Sequence, residues 1–323
     1  NSSFNSDISF WDTSNVTNME SMFNSTSAFN GDISNWNTSA VTNMGYMFKA
    51  AVVFNGDISN WNTAAVTSMS IMFNGASVFN GDISNWDTAA VTSMRFMFRD
   101  ATLFNGDISN WNTSAVTNMQ EMFRNASAFN GDISNWNTAS FTNMSEMFRD
   151  ATSFNGNISN WNTSSVTNME GMFRNATAFN QDLTEWCVSS ITSEPTQFAD
   201  SSALTSANKP IWGKEFTVAL TSGALSQTVT ATNAITNIVH TATPICSGSI
   251  SASVSGLPSG VTLAFGNNVA TISGTPNQAV AIPTFFTVTF SGATTSQSVT
   301  GTITVNAPTS SSADFDGPSF GSI

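Results

Sequence analysis

Charge is what this chain has least of. Of 323 residues, 8 are Lys or Arg and 21 are Asp or Glu, 9% together, against roughly 25% in an ordinary soluble domain. With a net charge of −13 and so few cations, nucleic-acid binding is excluded, because neutralising phosphates takes clustered Lys and Arg. Two cysteines, Cys187 and Cys246, are too few for a disulfide-dense scaffold or a four-ligand zinc site. The one histidine, His240, leaves metal or triad chemistry without its usual partners and reads as structural. No apolar run approaches the roughly 18 residues of a membrane-spanning helix. The chain opens at Asn1 with neither Met nor a basic-apolar leader, which reads as a processed form or a piece of a longer product.

What is present is apolar: 40% of residues are hydrophobic and 11% aromatic, enough to bury a core and unlike a disordered acidic tail. The composition changes once along the chain. All 14 methionines and eight of nine tryptophans fall within the first 186 residues, and Phe216 to Ala313 contains no Asp, Glu, Lys or Arg. The shift predicts a repeat domain over 1–205, a linker over 206–215, a β domain over 216–307 and a tail over 308–323.

Aligned against itself, the first part has a period of 25. Phe4, Phe29, Phe54, Phe79, Phe104, Phe129, Phe154 and Phe179 open successive units, each followed by Asn. A period in this range predicts a solenoid whose units bury their apolar faces on their neighbours. Ile108 and Trp111 in Asp-Ile-Ser-Asn-Trp read as a short strand. Val116, Met119, Met122, Phe123 and Ala126 follow at spacings of three and four, the pattern of a helical turn or two. The expected fold class is therefore an α+β solenoid, one parallel strand and one short helical turn per 25-residue coil, joined to an all-β sandwich.

The polar columns add detail. Asn30, Asn55, Asn80, Asn105, Asn130 and Asn155 are candidates for a structural amide ladder. The Asp column (Asp7, Asp32, Asp57, Asp82, Asp107, Asp132, Asp182) has calcium-ladder spacing, but the seventh unit carries Asn157, which favours a capping or turn role over a hard-cation site. Thr17, Thr42, Thr67, Thr92, Thr117, Thr142 and Thr167 read as helix N-caps rather than an ice-binding face. The Trp and Met columns read as buried wall and core filling. Lys49, Arg99, Arg124, Arg149 and Arg174 form a basic column, a candidate stripe for an acidic glycan or protein partner. The competing role is pairing with Glu121, Glu146 and Glu170 on the same turn. Nearly every carboxylate belongs to a column, so none is set apart as acid, base or nucleophile. The expectation is no enzyme, no metal and no cofactor.

These units resemble the BspA-like bacterial surface-protein leucine-rich repeats, in the variant Phe-Asn-x-Asp-Ile-Ser-x-Trp-Asn/Asp-Thr-Ser-x-Val-Thr-x-Met-x-x-Met-Phe. The closing stretch Phe179–Phe198 with Pro210-Ile-Trp-Gly213 resembles the family's capping unit. Where members have a second Cys after that motif, this chain has Lys214-Glu215. The resemblance implies a secreted or cell-surface protein with a binding or structural role.

Residues 216–306 alternate apolar residues with Ser or Thr in six short runs: 216–220, 227–231, 249–254, 269–273, 285–290 and 299–305. Gly and Pro punctuate them as in a sandwich. Gly256-Leu-Pro-Ser-Gly-Val-Thr-Leu263 with Ile272-Ser-Gly-Thr-Pro276 is similar to the immunoglobulin-like modules of large bacterial surface proteins, which usually act as spacers. In the tail, Asp314 and Asp316 resemble half a calcium loop, a weak signal.

The first coil begins at Phe4 with no amphipathic cap. This predicts that its apolar face, Phe4, Ile8, Trp11, Val16 and Met19, packs on another subunit in a head-to-tail contact that propagates as a filament. The expected function is an extracellular structural or adhesive protein with itself as partner. The alternative is a monomeric module whose solenoid surface recognises a host protein or polysaccharide.

Overall fold

A computed structural model describes residues 3–280 and 282–308. The tail beyond 308, with Asp314 and Asp316, lies outside the described residues. The chain divides into two compact units, Asn1–Glu215 and Phe216–Ile323.

The first unit overturns the expected α+β solenoid. It has no α-helix and no extended strand among its described residues; its regular elements are one 3-10 turn, Ser206–Asn208, and single-residue bridges. Asp-Ile-Ser-Asn-Trp is a turn in which Trp111 N–H donates to the Ile108 carbonyl. The Met-x-x-Met-Phe segment is a series of turns, and its backbone dihedrals show why. Two positions per repeat sit in the left-handed region: Ser21, Tyr46, Ile71, Phe96, Glu121, Glu146 and Gly171 form one column, and Ser25, Ala50, Gly75, Asp100, Asn125, Asp150 and Asn175 another. A left-handed residue every fourth position cannot propagate a right-handed helix. Turns nevertheless bring every third or fourth side chain inward, so their apolar spacing mimics a helix.

The backbone donors of this segment alternate in direction. Met22, Asn24 and Thr26 N–H donate three residues back, whereas Met19, Ser21, Phe23 and Ser25 N–H donate to Asn43, Gly45, Met47 and Lys49 carbonyls of the next repeat. Parallel bridges run Asn18–Asn43–Ser68–Ser93–Asn118–Asn143–Asn168. The repeats are thus stacked turns linked laterally, with no strand-and-helix closure. Side chains fill the stack in register: Phe48 lies 3.9 Å from Phe54, which opens the next repeat, and 5.6 Å from Phe73, its own equivalent there, and Trp61 lies 6.4 Å from Trp86 at 3°. Offset stacking of this kind adds to the burial of the rings.

The stretch 206–215, expected as a linker, belongs to this unit. Leu183 N–H donates to Asn208, Gly213 N–H to Val188, and Trp212 meets Phe198 edge-on at 4.9 Å.

The described residues of the second unit form eight strands: β1 Phe216–Ser222, β2 Ser226–Thr230, β3 Ile238–Pro244, β4 Ser251–Ser255, β5 Val261–Gly266, β6 Val269–Gly274, β7 Thr284–Ser291 and β8 Ser296–Asn306. They form two four-stranded sheets, β1-β3-β6-β5 and β2-β8-β7-β4. All pairs are antiparallel except β2 with β8. Phe216, Ile238 and Ile272 of one sheet share a buried core with Phe286, Val288, Phe290 and Ile303 of the other. Asn267 and Asn268, both with positive φ, make the two-residue turn between β5 and β6. Gly256, at φ +78°, passes so close to the Phe285 carbonyl that a Cβ there would lie 2.1 Å from its oxygen.

Candidate functional site

Five columns on the repeat unit carry the polar chemistry. The first is the Asn ladder. Asn55 N–H donates to Asn30 Oδ1 at 2.8 Å, and Asn80, Asn105, Asn130 and Asn155 each donate in the same way to the Asn one repeat earlier. Each side chain thereby satisfies a backbone donor that the turn leaves open. In the second column, Asp32 Oδ1 accepts from the Ser34 N–H at 2.9 Å and hydroxyl at 2.7 Å. Asn157 takes both bonds from Ser159 in the same way. Backbone and hydroxyl donation hold the Asp32, Asp57, Asp82, Asp107 and Asp132 carboxyls below their ordinary range. Among the described residues no three His, Cys, Asp or Glu gather as a metal site.

The Thr column is not a set of helix caps, since the described residues of the repeats form no helix at these positions. Thr42 donates both N–H and hydroxyl to the Thr17 carbonyl, and Thr67 does the same to Thr42. A second Thr column escaped the sequence reading. Thr38, Thr63, Thr113 and Thr163 are buried, and their hydroxyls donate to carbonyls of Asn62, Asp87, Asn137 and Cys187 in the following repeat. Trp36 Nε1–H reaches back to the Ile8 carbonyl, and the same bond recurs to Trp186. This fixes the Trp column as wall.

The basic column divides into two halves. In the later half it is an ion-pair ladder: Arg99 and Arg124 both reach Glu121 Oε2 at 2.8 Å, and Arg124 and Arg149 reach Glu146 Oε2 at 2.9 and 3.1 Å. Arg174 ends it on Gln197 at 2.7 Å, not on Glu170. Arg124, Arg149 and Arg174 are thereby occupied, while Arg99 keeps a buried Nε without a hydrogen-bond partner among the described residues. In the earlier half the carboxylate column that would pair them reads Tyr46, Ile71, Phe96. There Lys49 lies 5.7 Å from the Tyr46 ring centroid, and Arg95 and Arg99 lie 5.2 and 5.8 Å from that of Phe96. Asn74 replaces a long cation between Lys49 and Arg99, leaving a notch of about 150 Å³ lined by Lys49, Ile71, Asn74, Phe96 and Arg99. The signal stands in the repeat three residues before the basic column, where Glu gives way to Tyr46, Ile71 and Phe96.

The first repeat differs from the rest at its apolar columns. Trp11 is 46% exposed, whereas Trp36 to Trp161 are 3–4% exposed. Phe10 is 77% exposed, and Phe4, Ile8, Trp11, Met22, Phe23 and Thr26 line a hollow of about 220 Å³. Met19 is buried, and Phe4 and Val16 are partly buried against the core.

A stack of 25-residue turn repeats with ordered polar columns, followed by a two-sheet β unit, defines a repeat protein. The family described as "Mycoplasma protein of unknown function, DUF285" matches residues 1–108 and 92–212, and the chain belongs to that family. No curated protein matches it. Among solved structures, a chimeric titin Z1Z2 functionalized with a KLER exogenous peptide from decorin is similar at 14% identity. That likeness covers 28% of this chain and 95% of that one with a TM-score of 0.23, too low to bear on fold or function. No helix of the described residues is long and apolar enough to cross a membrane.

Proposed function

We propose that the chain is an extracellular, cell-surface structural and adhesive protein, without catalytic activity, that associates with copies of itself through the hollow on its first repeat. The observation that carries this reading is the exposure of Trp11 and Met22 around that hollow, at columns that later repeats bury. Apolar surface of this kind, rimmed by polar residues, marks an interaction site. The occupant is a second copy, because the chain carries an apolar counterpart: Ile282 and Phe285, 72% and 74% exposed, in a unit with no charge between Phe216 and Ala313. A knob on one copy entering a hollow elsewhere on the next is a heterologous contact, which propagates where it does not close. The surface-exposed sheet edges, without the charges that usually guard them, favour the same outcome.

Two further observations support the location and the kinship. Neither cysteine is a free thiol, as suits an oxidising compartment outside the cytosol. The resemblance to BspA-like surface repeats and to immunoglobulin-like spacer modules points the same way.

Sedimentation velocity over a concentration series tests the reading. Association is expected in the full chain, weakened at least tenfold by Phe285→Ser with the fold retained by circular dichroism. A chain monomeric throughout, or a Phe285→Ser variant that associates unchanged, overturns it.

A further inference from the structure

The later half of the basic column shows what fits between two successive cations. Arg99 and Arg124 share one Glu121 oxygen at 2.8 Å each, and Arg124 and Arg149 share one Glu146 oxygen. The recurring unit is cation, carboxylate, cation. In the notch Lys49 and Arg99 stand two repeats apart with Asn74 between them; Glu121 holds Arg99 Nη1 from the following repeat, but the chain supplies no carboxylate on the Lys49 side of Arg99, because Ile71 and Phe96 stand where Glu121 and Glu146 stand later. Among the described residues Lys49 and Arg95 have no carboxylate within ion-pair reach. Arg99 Nε is buried 3.3 Å from Asp100 Oδ2 without the alignment of a hydrogen bond.

We infer that the notch lined by Lys49, Asn74, Phe96 and Arg99 binds a carboxylate-bearing sugar unit of an acidic polysaccharide, whose carboxylate takes the place the chain's own Glu occupies later in the ladder. The guanidinium of Arg99 and the ammonium of Lys49 receive the carboxylate. The Asn74 amide, donor and acceptor at once, meets a ring hydroxyl. Ile71 and Phe96 give an apolar floor for the CH face of the sugar, the mixed lining usual in small-ligand sites. The volume of about 150 Å³ equals that of about five waters, room for one ring. The acidic net charge does not oppose this, because the screening length at physiological salt is about 8 Å and the notch responds to its own cations. Ile71 is a β-branched residue held at φ 65°, a costly conformation that keeps an apolar side chain where Glu121 and Glu146 put a charge. This site is independent of the self-association above and is read out separately from it.

Titration calorimetry with a short oligogalacturonate, its methyl ester and a sulfated galactan decides the matter. The full chain is expected to bind the oligogalacturonate at least tenfold more tightly than either of the others. Phe96→Glu supplies the ladder's own carboxylate. It is expected to abolish binding while leaving the thermal transition unchanged or raised, so loss of binding is not loss of fold. Equal binding of the ester, equal binding of the sulfated galactan, no binding by the unaltered chain, or binding undiminished in Phe96→Glu each overturns the assignment.

Discussion

The two units build cores from chain that is poor in charge, and they secure their backbones by different means. The repeat unit has no extended ladder; it joins turn to turn by single bridges and sends Asn, Thr and Trp side chains to finish the backbone bonding. The second unit uses strands of five to eleven residues and needs few side chains for its main-chain bonds. The contrast explains the composition. Side chains that must bond in fixed columns have to repeat, so the first unit is periodic. A sheet satisfies its own backbone, so the second unit's sequence is free to vary and asks only for alternation. Charge follows the same division: the first unit keeps its ions in a ladder, and the second has none to place between Phe216 and Ala313.

The sharpest way to break this contrast is to remove one ring from the stack. Phe98→Ala deletes a side chain stacked on Phe73, Phe104 and Phe123, and by the usual cost of such truncations it should destabilise the repeat unit by about 3–5 kcal/mol. All nine tryptophans precede residue 216, so urea unfolding followed by tryptophan fluorescence reads this unit alone. A change below about 1 kcal/mol would show that the lateral bonds, not the rings, hold the stack.

A smaller effect is expected from the ladder. Glu121→Gln leaves Arg99 and Arg124 without their shared anion. Because the carboxylate is largely buried but both cations are partly solvated, the cost should be roughly 1–2 kcal/mol, between exposed and buried pairs. It should shrink in 1 M salt; a salt-independent loss would assign the effect to packing.

The least costly test sets the units apart by pH. His240 is buried on β3 with neither ring nitrogen hydrogen-bonded among the described residues, facing Phe290 and no charged group. Burial holds it below its ordinary 6.5, so the unfolded chain takes the proton more readily. Its stabilising effect is full above that pH and lost as pH falls through it. The Asp column is also held low, below the ordinary 3.8, by hydrogen bonds from Ser34, Ser59 and their equivalents. Its contribution is full above about pH 4 and lost only below. Thermal melting at pH 7.5 and 5.5 should therefore lower the second unit's transition, by far-ultraviolet circular dichroism, while the tryptophan-reported transition of the repeats stays put. His240→Phe should remove the difference. A repeat transition that moves first would reverse the comparison.

Much of this was legible in the letters. The period of 25, the change of composition before residue 216, and the in-register Phe, Trp, Met, Asn and Asp columns can all be counted. The local conformation could not be read from them. Met119, Met122, Phe123 and Ala126 have helical spacing, yet left-handed residues at Glu121 and Asn125 make them turns. Asp-Ile-Ser-Asn-Trp reads as a short strand, yet its Ile108 and Trp111 close a turn. Strand β3 went unseen because His240 stands at one of its inward positions, where the pattern asks for an apolar residue; β5 alternates as plainly as the strands that were read. The notch was half visible: the replacement of Glu by Tyr46, Ile71 and Phe96 stands in the alignment, but which cations already had partners did not.

Periodicity and composition are properties of the chain and constrain which residues must meet identical neighbours. Whether a given backbone turns, coils or extends is decided when those neighbours arrive. A left-handed Ile71 or Phe96 is unfavourable alone and persists only where the next repeat's carbonyls accept its N–H and its neighbours'. The columns therefore belong to the sequence, and the turns that carry them belong to the stack.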